Sequence, residues 1–121
     1  MKMMTNIRDV GGVTIVDISG RIVLGEESAT LRDLISNLLS QGRRKILLNL
    51  RDVDYIDSSG LGNLVSACVK LRMYDGEVKL LNLPKRVQDV MQITKLYTVF
   101  EIMDDEAVAV RSFGQSAATT G

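Results

Sequence analysis

The chain has 121 residues, enough for one domain and too few for two independent cores. Fifteen Lys and Arg balance fifteen Asp and Glu, and a net charge of zero argues against nucleic acid or an anionic membrane as the main partner. The sequence has no histidine, which excludes a Ser-His-Asp triad and histidine metal sites.

A domain of this length buries roughly two-thirds of its unfolded surface and needs no disulfide or metal to hold together. Aromatics make up 4%, so the core must come from Leu, Ile, Val, Met and Ala. The one cysteine, Cys68, lies among Leu64, Val65 and Leu71 and reads as a small buried hydrophobe. No apolar stretch approaches the ~18 residues of a membrane span. The start, Met1 to Asn6, lacks the apolar run of a secretory signal. The expectation is a cytoplasmic protein that binds no membrane.

Ile7 to Val10 and Val13 to Ser19 are strand-like runs joined by Gly11-Gly12, a pair suited to the positive φ of a tight antiparallel hairpin. From Ser28 the period changes. Leu31, Leu34, Ile35, Leu38 and Leu39 follow helical spacing, and Gly42 is placed to end that helix. The basic run Arg43-Arg44-Lys45 reads as a solvated turn. Ile46 to Leu50 is a short continuous apolar run, as in a central strand covered on both faces.

Asp52 to Asp57 are expected to form the turn after that strand. Leu61, Leu64, Val65, Cys68 and Leu71 set out a second helix that stops near Asp75-Gly76, and Val78 to Leu83 give another buried strand. Pro84 is expected as the first residue of a third helix, where its missing N–H costs nothing. Val87, Val90 and Met91 form that helix's apolar stripe. Val99 to Ile102 read as a last short strand and Asp104 to Val110 as a closing helix. Ser112 to Gly121, polar apart from Phe113, is expected to be a disordered tail.

The order β-β-α-β-α-β-α-β-α predicts an α/β fold: a mixed, largely parallel open sheet of about five strands with about four helices. Residues 1–111 would form the domain and 112–121 the tail.

The informative segment is Asp54-Tyr55-Ile56-Asp57-Ser58-Ser59-Gly60-Leu61-Gly62. It lies at the carboxyl end of the sheet, where open α/β sheets commonly place ligands. Asp57 or Ser58 can cap the helix that follows. Gly60 and Gly62 keep side chains off the turn, at a cost of roughly 1 kcal/mol each relative to alanine if helical. A phosphate there would meet free amides and the positive end of the helix dipole. Taken alone, the segment also fits a plain capped helix start.

Leu48-Asn49-Leu50, a short acidic turn, then Asp57-Ser58-Ser59-Gly60-Leu61-Gly62 resemble the hallmark of the STAS family, which comprises anti-sigma factor antagonists and cytoplasmic domains of sulphate transporters. The resemblance extends over roughly residues 5 to 110, through Val13 to Gly20, Leu80-Leu81-Asn82-Leu83, and the helix carrying Val87 and Met91. It implies that Ser58 is phosphorylated by a serine kinase that is also the anti-sigma factor. It further implies that the unmodified form binds that kinase through Asp57, Ser58, Ser59, Gly60, Leu61 and Gly62 and frees the sigma factor, and that a serine phosphatase restores binding. The adjacent hydroxyls of Ser58 and Ser59 are not separable from the residues alone; the resemblance selects Ser58. Arg21 and Val23 stand where many antagonists carry acids. Ile22 to Leu24 read as a strand end in preference to an exposed apolar contact.

Rival classes find less support. There is no Gly-x-x-x-x-Gly-Lys-Ser/Thr loop, and no Gly-x-Gly-x-x-Gly after a strand. Asp54 and Asp57 read as solvated turn carboxylates in preference to an acid–base pair. The expectation is therefore no enzyme, no catalytic residue, no metal and no cofactor, in a monomer or weak dimer. The alternative is a non-switching STAS scaffold or an interaction subunit of a larger assembly.

Overall fold

In the computed structural model, which describes residues 3–22, 26–95 and 100–113, the chain opens on the expected hairpin. β1 (Met4–Val10) and β2 (Val13–Ile22) pair antiparallel around Gly11 and Gly12, whose φ values of 57° and 82° are those of a primed two-residue turn. Then follow α1 (Glu26–Ser40), β3 (Lys45–Ile56), α2 (Ser58–Met73), β4 (Glu77–Leu81), α3 (Lys85–Thr94), β5 (Ile102–Met103) and α4 (Glu106–Ser112). The strands lie in sequence order, β1-β2-β3-β4-β5, with every pair after the hairpin parallel. This is the mixed, largely parallel five-stranded sheet with four helices that the alternation predicts. Among the described residues no helix is long and apolar enough to cross a membrane.

Successive right-handed crossovers that advance in one direction leave their helices on one face of a sheet. The core agrees. Leu31 and Ile35 of α1, Leu64 and Leu71 of α2, and Val87 and Met91 of α3 pack with Val16, Ile46, Leu48 and Leu80. Cys68 sits in this layer, and burial pushes its thiol up to about 12, so it serves as packing. On the opposite face Val13, Ile15, Leu47 and Leu81 pack with Ala109 and Phe113 and with the half-buried Met103 and Val110.

Four boundaries differ from expectation. The largest is β3, which runs on through the predicted turn to Ile56. Its first half pairs on both sides, but β4 stops opposite Asn49. From there on β3 is hydrogen-bonded to β2 alone, with irregular register after Asp17 and after Gly20. One open side explains why Asp52, Asp54 and Tyr55 are exposed while Val53 and Ile56 are buried.

The second is Pro84, which precedes α3 as its cap with extended backbone, ψ 155°, its carbonyl accepting from the Gln88 N–H. Third, β5 falls at Ile102–Met103 and α4 starts at Glu106, capped by the Asp105 carboxylate on the Val108 N–H at 3.0 Å. Val99, Val23 and Leu24 lie outside the described residues.

Last, the expected domain boundary at 111/112 falls inside α4. Lys79 on β4, only 3% exposed, donates from Nζ to the Ser112 carbonyl and Oγ, pairs with Glu101, and lies 5.0 Å from the centre of the Phe113 ring. Ser112 and Phe113 therefore belong to the folded domain, while residues 114–121 of the expected tail are outside the described residues. Arg43 also departs from the solvated-turn reading: it bonds Asp9 and Thr14 and braces the opening hairpin.

A polar line crosses the α4 face. Arg8 donates to both Asp17 oxygens, at 2.6 and 2.9 Å, and to Glu106 of α4 at 2.7 Å. The Asn49 amide donates to Asp17, and the Asn82 amide to Asn49. The Arg8 guanidinium, helped by Asn49 and opposed by burial, holds the Asp17 carboxyl below its ordinary 3.8. A depressed folded-state pKa stabilises the fold in full above the unfolded value and loses that stabilisation as pH falls through the folded one. Asp17→Asn should therefore cost about 1–2 kcal/mol at pH 7. In urea titrations across pH, the gap to wild type should close as pH drops below about 4; a gap independent of pH would show that the ion pair contributes nothing.

Candidate functional site

The turn from β3 into α2 is made by one residue. Ile56 is buried at 3% exposure, Asp57 has extended backbone (φ −98°, ψ 176°), and Ser58 is already helical. The open choice of cap resolves to Asp57, whose Oδ1 accepts from the Gly60 N–H at 2.6 Å. Its carbonyl takes the first helical bond from Leu61 at 2.8 Å, and its own N–H reaches the Ile22 carbonyl at 3.4 Å, tying the junction to the end of β2.

Capping by Asp57 releases the two serines. Ser58 and Ser59 occupy the first two helical positions, both exposed, and neither hydroxyl is engaged by another described residue. Asn63 steadies the turn by donating from Nδ2 to the Ser59 carbonyl at 3.1 Å. Gly62 is exposed, and a Cβ built on it meets nothing within 4 Å, so a docked molecule can approach the backbone there.

Gly60 and Leu61 differ from their expected partner-facing role: both are buried and face the core. Asp57 is half-buried. The accessible part of the predicted patch is thus Ser58, Ser59 and Gly62, with the Asp57 carboxylate at its edge. Sequence reading missed one neighbouring feature. The Arg21 guanidinium lies 5.0 Å from the centre of the Tyr55 ring, on strand ends that pair beside this turn; no local signal links residues so far apart.

Two depressions of about 670 and 800 Å³ share Arg51, Asn82 and Asp104, and neither includes any residue from Asp57 to Gly62. An exposed helix start with two hydroxyls unengaged by any described residue suits contact with another macromolecule better than enclosure of a small substrate.

This architecture defines a sheet protein whose candidate site is a strand-to-helix turn. The sequence model of the STAS domain matches residues 4–109, and the chain belongs to the STAS domain family. BtrV of Bordetella bronchiseptica, provisionally named an anti-sigma factor antagonist, is 25% identical over 111 residues, covering 92% of this chain and 95% of its own. The crystal structure of a Thermotoga maritima protein with the same provisional name superposes with a TM-score of 0.80 at 25% identity, covering 89% of this chain and 92% of that one. The Bacillus cell fate determinant SpoIIAA in its phosphorylated form gives a TM-score of 0.69 at 21% identity, over 89% of this chain and 97% of that one, a likeness of fold.

Removing the cap isolates its contribution from any binding role. Asp57→Ala should lower stability by about 0.5–2 kcal/mol, and Asp57→Asn should recover most of the loss. Thermal or urea melts of the three proteins check this; an unchanged Asp57→Ala would mean the cap is not holding the turn.

Proposed function

We propose that this protein is an anti-sigma factor antagonist, an interaction switch without catalysis of its own. In this reading the unmodified form binds an anti-sigma factor that is also a serine kinase, and phosphorylation of Ser58 ends the complex. A serine phosphatase resets it, all in the cytoplasm. The observation that carries the reading is the placement of Ser58: exposed, first in its helix, its hydroxyl unengaged among the described residues because Asp57 does the capping. The names of the relatives support the antagonist role.

The physical case rests on where a new charge would go. Phosphorylation adds about −1.5 to −2 charges at pH 7. In the free protein the group stays in water, at the positive end of α2, and nothing buried is disturbed. Pressed against a partner surface, the same dianion must be desolvated beside the Asp57 carboxylate. A partner that presents nucleotide phosphates adds like-charge repulsion. Each ~1.4 kcal/mol lost is tenfold in affinity, so a modest penalty releases the complex.

Supplied with ATP and the serine kinases of its own organism, the wild-type protein should acquire one phosphate, on Ser58 by mass spectrometry, and lose affinity for that kinase by about tenfold or more. Ser58→Ala should bind equally with and without ATP, and Ser58→Asp should bind weakly throughout. Phosphate on Ser59 alone, or a Ser58→Ala protein released by ATP as wild type is, would overturn the reading.

A further inference from the structure

Strand β1 is an edge, and it is left open in a way the other edge is not. It pairs with β2 without a break from Met4 opposite Ser19 to Val10 opposite Val13, and among the described residues no strand lies on its outer side. At the far edge β5 pairs over two residues only. Folded proteins close long edges with proline, lysine, a bulge, or a charge directed across the free backbone. β1 contains neither proline nor lysine and has no bulge. Its two charged residues are drawn into bonds within the chain: Arg8 is held by Asp17 and Glu106, and Asp9 by Arg43. The remaining side chains include Met4, Ile7 and Val10, 68%, 38% and 38% exposed.

We propose that β1 is the interface of a symmetric dimer, in which a second copy of the chain pairs antiparallel along this edge to form one ten-stranded sheet. The sequence of the strand selects the register. A two-fold axis between antiparallel edge strands stands perpendicular to the sheet and keeps each face on its own side. Opposed residues must therefore share a face, and their numbers sum to an even value. A centre on Arg8 or on Asp9 sets a like charge against itself, which is destabilising. A centre on Asn6 leaves two of the seven residues unpaired.

A centre on Ile7 uses the whole strand. Ile7 meets its own copy, Met4 meets Val10, Asn6 meets Arg8 and Thr5 meets Asp9, so apolar side chains oppose one another and no like charges meet. The dimer does not rest on the proposed antagonist role and leaves it intact. With the strands antiparallel, the two Asp57–Gly62 turns lie on opposite strand-end sides of the joined sheet, each at the carboxyl end of its own β3.

A single strand pair is a small interface, in the class below about 1,200 Å², so association should be weak and dependent on concentration. Sedimentation equilibrium from about 10 µM to 1 mM spans that range. The average mass should climb from 13.3 kDa toward twice that value. Ile7→Lys, which opposes two ammonium groups across the axis, should stay monomeric throughout with an unchanged melting curve.

The register has its own test. Ile7→Cys should form a cross-linked dimer on mild oxidation, because opposed residues have Cα atoms about 4.5–5.5 Å apart, within disulfide range. Thr5→Cys should not, since it faces Asp9 of the other copy, and wild type should not, since Cys68 is buried. A wild-type chain that remains monomeric at 1 mM, or an Ile7→Lys chain that associates equally, overturns the dimer. Cross-linking of Thr5→Cys as fast as Ile7→Cys overturns the register.

Discussion

Everything at the site follows from how little chain separates two anchors. Ile56, last in β3, and Leu61, in the first turn of α2, are both sealed in the core. Between them four residues must end a strand, cap a helix and begin its ladder. Asp57 does the first two with one extended residue and one carboxylate. Gly60 is the third helical residue and turns inward, where the helix comes down onto the sheet. Ser58 and Ser59 are then left outside by geometry. Their exposure is a consequence of core packing on either side, and a loop of the same composition without those anchors would not hold a hydroxyl in a fixed place.

The same anchors explain which parts of the molecule are legible in its sequence. Glycines 11 and 12, the helical spacing of Leu31 through Leu38, and the apolar run Ile46–Leu50 are local signals, and each element they mark is present. So is the strand-to-helix turn, because carboxylate, hydroxyl and glycine side by side have few other uses. What the sequence does not display is the effect of distant neighbours. Asp52 to Asp57 look like a turn because aspartates recur through them, yet as far as Ile56 they form a strand because β2 extends beside them after β4 has ended. Ser112 and Phe113 look like a tail until Lys79, thirty-three residues away, is seen to bind them. Gly60 and Leu61 belong to the motif by position and to the core by orientation, and only the packing of α2 separates those roles.

Charge is spent on construction, and that shapes what the surface can signal. Arg8 with Asp17 and Glu106, Arg43 with Asp9, and Lys79 with Glu101 join different elements of the fold. Exposed pairs of this kind are individually worth little, but Arg8 while held by Asp17 also reaches Glu106, and the buried Lys79 also donates to Ser112, so both cations tie α4 to the sheet. A chain whose formal charges sum to zero offers a quiet electrostatic background. A dianion added at Ser58 would then be among the strongest local charges on the molecule, read by a neighbour without competition from an existing patch.

That background bears on the form a switch at this turn must take. To transmit a modification through the fold, α2 would have to move, and α2 is held by Leu61, Leu64, Ala67, Cys68 and Leu71 in a layer that includes the central strand. Shifting such a helix would open the largest part of the core, at a cost of several kcal/mol for each large side chain exposed. A phosphate set in water at its start supplies nothing comparable, since interaction with the helix dipole is worth about 0.3–1 kcal/mol. A modification at this turn would therefore act where it sits, on whatever touches the turn. A rigid junction would suit such a switch, because a partner would meet the same geometry with and without the added charge.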